Sequence, residues 1–205
     1  MNISKLFALS LISVFSLSGC AAGVLVTTAE AAKTIAQERS AGNRVDDNGI
    51  AIQINNAFIQ KDVDDLFAGI NTKISEGRVL LTGTVRDPQH RVEAEKMVWK
   101  IAGVNEVMNE IQVVDSEKFS SYAHDVWISN YLRGKLLFAK GIAASNYNVE
   151  TVNGTVYLMG IAQDELELRK AIEIARRIEG VNQVVSHVIK KDDPRRSNLA
   201  AANRN

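Results

Sequence analysis

The 205-residue chain has one cysteine, Cys20, and three histidines. One thiol cannot close an internal disulfide, and one Cys with three scattered His offers no metal-ligand spacing. No cysteine follows position 20, so the folded part needs no oxidative staple even in an oxidising compartment. Net charge is also lacking: 24 basic residues balance 24 acidic ones, which argues against bulk nucleic-acid binding. The apolar stretch from Leu6 to Leu17 is too short to cross a bilayer as a helix, which takes roughly 20 apolar residues. No catalytic constellation stands out. The carboxylates are spaced as solvated helix faces, and Gly77, Gly83, Gly154 and Gly160 sit at strand ends rather than in a phosphate-cradling loop. Neither an enzyme nor a cofactor is expected.

What is present begins with that cysteine. Lys5 and the apolar run after it have the order of a secretory signal. Leu17-Ser18-Gly19-Cys20 then resembles a bacterial lipobox. The resemblance implies a signal peptide over residues 1–19, cleaved so that an acylated Cys20 becomes the first mature residue. Several buried acyl chains hold a protein firmly at a membrane, at about 0.8 kcal/mol per CH₂. Ala21 in place of Asp resembles an outer-membrane address. Residues 20–45 read as the acylated Cys and a flexible tether, and residues 192–205 as a disordered tail.

The segments starting at Gly77 and Gly154 align without a gap over 38 residues, of which 11 are identical. The shared positions include Val79/Val156, Leu81/Leu158, Gly83/Gly160, Asp87/Asp164, Gly103/Gly180 and Asn105/Asn182. Such positions fix a fold, so the chain carries a duplicated domain, over residues 46–115 and 121–191. Each copy opens with a helix whose apolar residues recur every four positions: Ile50, Ile54 and Phe58, then Ile128, Leu132 and Leu136. A strand follows (residues 68–75 and 146–152), and a tight turn, Glu76-Gly77 or Asn153-Gly154, leads into a second strand. Asn153-Gly154-Thr155 also fits a glycosylation sequon, but the hairpin accounts for it. Asp87 and Asp164 are placed to cap a second helix, and Gly103 and Gly180 to end it. A last strand spans residues 105–114 and 182–189. The predicted class is α+β: two domains ordered α-β-β-α-β, each with a three-stranded sheet packed on two helices.

That order, the G-x-V-x-L-x-G strand and the G-V-x-x-V helix exit resemble the BON (bacterial OsmY and nodulation) domain. Further matches lie at Arg39-Ser40-Ala41-Gly42, Val45-Asp46-Asp47, Asn109-Glu110-Ile111, Trp127-Ile128 and residues 153–160. Two copies behind a lipobox are similar to dual-BON outer-membrane lipoproteins of division sites. The resemblance implies a lipid-anchored protein at the periplasmic face of the outer membrane.

The copies differ in charge. Residues 41–115 carry net −4 and residues 121–191 net +2. The first helix of copy two is singular: Trp127, Tyr131 and Phe138 fall on an arc away from its core residues, beside Gly134. Arg133, Lys135 and Lys140 follow nearby, whereas copy one offers Gly49, Gln53 and Gln60. Such a ring surplus fits either a membrane–water interface or packing against the first domain. The family resemblance implies the former. Trp127 would then act as a wedge, Tyr131, Leu137 and Phe138 as apolar footprint, and Arg133, Lys135 and Lys140 as partners of phosphatidylglycerol-like headgroups. The acidic first copy is expected to scaffold or dock protein. A competing reading makes the pair a periplasmic adaptor for the outer-membrane assembly machinery or for wall-amidase regulators.

Overall fold

A computed structural model describes residues 41–61, 69–114 and 122–196. The expected signal segment, Cys20 and the expected tether up to residue 40 lie outside the described residues. So do residues 197–205. The first domain comprises α1 (Ala41–Lys61), β1 (Ile70–Ser75), β2 (Arg78–Val85), α2 (Pro88–Val98), β3 (Glu106–Asn109) and β4 (Gln112–Val113). The second comprises α3 (Tyr122–Phe138), β5 (Tyr147–Val152), β6 (Thr155–Ala162), α4 (Glu165–Arg176) and β7 (Gln183–Lys190). Each is α+β, as expected. Helix α1 already runs from Ala41, five residues before the anticipated domain start.

The two domains share one wiring diagram. The middle strand pairs antiparallel with the strand before it and parallel with the strand after the second helix. Register is shared as well: Arg78 pairs with Glu106 and Thr155 with Gln183, the same separation in sequence. Copy one departs in one place, because its last strand breaks between β3 and β4 instead of running through. Asn109 causes the break. Its side chain donates to Arg91 O (2.9 Å) and Glu95 Oε2 (3.0 Å) and accepts from Ile111 N (3.3 Å), competing with the ladder.

Local chemistry explains the repeated identities. Glu76 and Gly77, like Asn153 and Gly154, have positive φ at both central turn positions, the I′ pattern that matches strand twist. A Cβ on Gly77 or Gly154 would fall 2.3 or 2.4 Å from the amide nitrogen of Asn105 or Asn182. Each turn is held from below by an aspartate of the first helix. Asp47 accepts from Glu76 N and Gly77 N, both at 2.9 Å, and Asp125 from Asn153 N (2.8 Å) and Gly154 N (2.9 Å). Asp87 and Asp164 cap their helices, accepting from Gln89 N and Glu167 N. Gly103 and Gly180 do not end the helices directly. α2 and α4 stop at Val98 and Arg176, and tight turns then carry the chain to these glycines at positive φ.

Both faces of the middle strands are covered. Val79, Leu81 and Val85 of β2 pack under α1 and α2, and Val156, Leu158 and Ala162 of β6 under α3 and α4. The opposite faces meet each other: Leu80 and Met108 of the first domain pack with Val152, Tyr157 and Met159 of the second. Polar groups close the rim of this seam. Arg78, itself buried, pairs with Glu106 (2.6 Å) and donates to His187 O (3.0 Å). Gln112 bonds Val152 O and Tyr157 Oη, His187 meets Glu110 at 2.9 Å, and Lys73 meets Glu150 at 2.7 Å. All described residues belong to one compact unit, Ile35–Asn205. The layers run helices, sheet, sheet, helices.

The expected tail is corrected over residues 192–196. Arg196 makes two hydrogen bonds, at 2.8 and 2.9 Å, to the carboxylate of Glu76 at the first hairpin tip. Arg195 adds a contact to Glu106 at 3.5 Å. Both are charge-assisted bonds to a buried carboxylate, the stronger kind of hydrogen bond, and they tie the short return to the first domain.

Candidate functional site

Helix α3 sorts its side chains into three arcs. Ile128, Leu132 and Leu136 are fully buried against the sheet, as their spacing requires. One flank turns toward the first domain. Tyr122, Val126, Ser129 and Arg133 border a cleft of about 560 Å³ whose far wall includes Asn71 and Thr84. The other flank carries the rings. His124 stacks on Trp127 with centroids 5.8 Å apart, Trp127 stacks on Tyr131 at 5.1 Å, and the Lys135 ammonium lies 5.1 Å over the Tyr131 ring.

These contacts follow from helical spacing. Residues three and four apart lie one above the other, so 124, 127, 131 and 135 form a single column. Trp127 is 46% exposed and Phe138 87%, and Tyr131 and Leu137 are exposed too. None of Trp127, Tyr131 or Lys135 lines the interdomain cleft. The ring column therefore lies off the cleft, and the apolar contact between the domains is made by the sheets. A half-exposed indole beside a phenol and an ammonium suits a boundary where one side is apolar and the other wet.

Arg133 differs from its expected placement. It lies about 240° around the helix from Trp127 at 100° per residue. Its guanidinium donates to Asn130 Oδ1 (2.8 Å) and to Val149 O, and lies 3.7 Å from Glu150. Lys135 remains beside the rings, over Tyr131, and Lys140 follows just past the helix end. His124 joins the column as a residue outside the sequence-derived candidates, and its spacing of three from Trp127 is the signal that places it there.

The described residues hold little else of chemical promise. No group of three or more His, Cys, Asp or Glu among them could bind a metal. No helix among them is long and apolar enough to cross a membrane. Burial, aided by the Glu167 charge, raises the Tyr147 phenol far above its ordinary value, so it stays neutral.

Comparison with known proteins agrees with the architecture. The BON domain profile matches residues 46–115 and again 124–190. The chain is 43% identical over 145 residues to an uncharacterized protein in the gshII 5′ region of Anaplasma centrale, covering 70% of this chain and 94% of that one. It is 31% identical over 188 residues to the outer membrane lipoprotein DolP of Haemophilus influenzae, covering 90% and 96%. It is 29% identical over 162 residues to the osmotically-inducible protein Y of Escherichia coli, covering 77% and 80%. A duplicated α-β-β-α-β domain, matched twice by one profile, makes this chain a member of the BON-domain family.

Proposed function

We propose that the chain is a lipoprotein anchored by acylated Cys20 at the periplasmic face of the outer membrane. Its second BON domain binds anionic, phosphatidylglycerol-like phospholipid through α3. In that role it supports cell-envelope integrity, at division sites, and it acts by binding alone. Similarity to an outer-membrane lipoprotein over nine-tenths of the chain supports the anchoring and the location. The observation that carries the lipid reading is the exposed ring column His124–Trp127–Tyr131, capped by Lys135 and followed by Leu137, Phe138 and Lys140. Trp127 serves as the wedge. Arg133, engaged on the opposite flank, is left out of the footprint.

The test is flotation of the full-length Cys20→Ser protein with phosphatidylglycerol-containing vesicles. Binding is expected, weaker in salt, and abolished by Trp127→Glu with the circular dichroism unchanged. Binding that survives Trp127→Glu, or that ignores lipid charge, refutes the reading. A second reading, the periplasmic adaptor, draws support from the first domain. Ile52 and Ile59, seven residues apart on α1, are both exposed, as is Trp99. A partner retained in pull-downs by Trp127→Glu and lost with Ile52→Glu and Ile59→Glu would favour it.

A further inference from the structure

The duplication contains its own control, because one fold presents two helical faces with different chemistry. In the second domain α3 and α4 run side by side in opposite directions. His124, at the start of α3, packs over Gly180 beyond the end of α4, where a Cβ would meet the His124 ring nitrogen at 2.2 Å. At the other end Lys170, in the second turn of α4, donates its ammonium to the backbone oxygen of Lys140, just past α3. The seam between the helices thus gathers Lys140 and Lys170 at one end, with Lys140 two residues past Phe138. Leu166, one turn before Lys170 on the same helix, is 68% exposed.

The equivalent positions of the first domain change together. Trp127, Tyr131 and Phe138 correspond to Gly49, Gln53 and Gln60, and on the second helix Leu166 and Lys170 correspond to Gln89 and Glu93. Glu93 is in turn neutralised by Lys61 at 3.2 Å. Core positions do not follow this pattern: Ala94 and Ala171 are the same residue, and both are fully buried. Packing therefore does not account for the change. A site confined to α3 would leave α4 free to keep its polar and acidic residues. At Leu166 and Lys170 the shift from amide and acid to apolar and cation reaches the second helix as well.

Two of the α4 acids are already engaged. Glu173 lies 3.6 Å from Arg177, and buried Glu167 accepts from Ala143 N and Gln163 N, both at 3.0 Å. Among the described residues no ion pair involves Lys140 or Lys170, and the Lys170 ammonium keeps N–H donors beyond the one given to Lys140 O for an external anion.

Building on the lipid reading above, we infer that the bilayer contact is a two-helix surface. Lys170 and Lys140 at the seam bind headgroup phosphates, and Leu166 extends the apolar footprint of Phe138. The occupant is an anionic bilayer, matched by the cations at the seam and the exposed apolar side chains beside them.

The test uses the full-length Cys20→Ser protein and vesicles of phosphatidylethanolamine with or without phosphatidylglycerol. Loss of one surface cation should lower partitioning about fivefold, so Lys170→Gln is expected to bind the anionic vesicles that much more weakly. Lys170→Glu, the residue of the first copy, should bind more weakly still, and Lys170→Arg should bind normally. The Lys170→Gln deficit should shrink in high salt. A deficit in Leu166→Gln should persist there. If Lys170→Gln and Leu166→Gln float like the parent while Trp127→Glu does not, the site is confined to α3 and this inference is overturned with the lipid reading intact. If the parent itself ignores the anionic vesicles, both fall.

Discussion

The aspartate beneath each hairpin permits a quantitative test of how the domains are held. Asp125 is buried, and its two oxygens each accept one turn amide, from Asn153 at 2.8 Å and Gly154 at 2.9 Å. Both turn residues have positive φ, so their N–H groups converge as a small anion nest. Asp125→Ala removes both acceptors. The Asn153 amide is partly exposed and can recruit water, which sets its loss at about 1 kcal/mol. The Gly154 amide is buried and forfeits about 2, giving about 3 kcal/mol in total. Asp125→Asn keeps one acceptor oxygen and should cost about half as much. Asp47→Ala repeats the experiment in the first domain, where Arg196 also braces the turn through Glu76, so its effect should be smaller. Urea unfolding followed by circular dichroism gives the totals, and hydrogen exchange at the Gly154 amide localises the loss. If both Asp125 variants fall within the roughly 0.5 kcal/mol scatter of surface substitutions, the nest is not a structural anchor and the reasoning fails.

Other expectations concern the seam, the ring column and the tail. Met159→Ala should open a cavity between the sheets and destabilise by about 2–5 kcal/mol, since Met159 is fully buried there; a loss under about 1 would mean the seam closes freely. Gly180→Ala should be strained by its φ of 85° and by the His124 ring 2.2 Å away, so adding His124→Ala should recover part of the loss. A purely additive double-mutant cycle would contradict that contact. Hydrogen bonds from Arg195 lower the Asp193 carboxyl from 3.8 to about 2. Because the folded value is the depressed one, the stabilisation is complete above about pH 4 and is lost as pH falls toward 2. A carbon NMR titration that placed Asp193 at its ordinary value would refute the pairing.

The features legible in the sequence were those set by neighbours along the chain. Ile128, Leu132 and Leu136 announce their buried arc by spacing alone, Asn153-Gly154 its turn, and Asp87 and Asp164 their caps. The seam was harder to read. Alternation in β2 and β6 points to one buried face, and only the near-continuous apolar run from Val156 to Ala162 hints that Tyr157 and Met159 are covered as well. Nearness in sequence does not put Arg133 beside the rings, because two residues from Tyr131 is more than half a turn away. The aspartate anchors depend on partners 28 to 30 residues distant, yet both copies carry an Asp three residues before the first core isoleucine of their helix. That recurrence was a readable clue. The return of Arg196 to Glu76, across 120 residues, left no such trace.

The back-to-back joining of the sheets has a geometric corollary. With both strand layers spent on holding the halves together, every helix is forced outward, and the two helical pairs point in opposite directions. Any flat surface seated on α3 and α4 therefore leaves α1 and α2 pointing directly away from it. The molecule thus has two unlike helical ends, which cannot both rest on one flat surface.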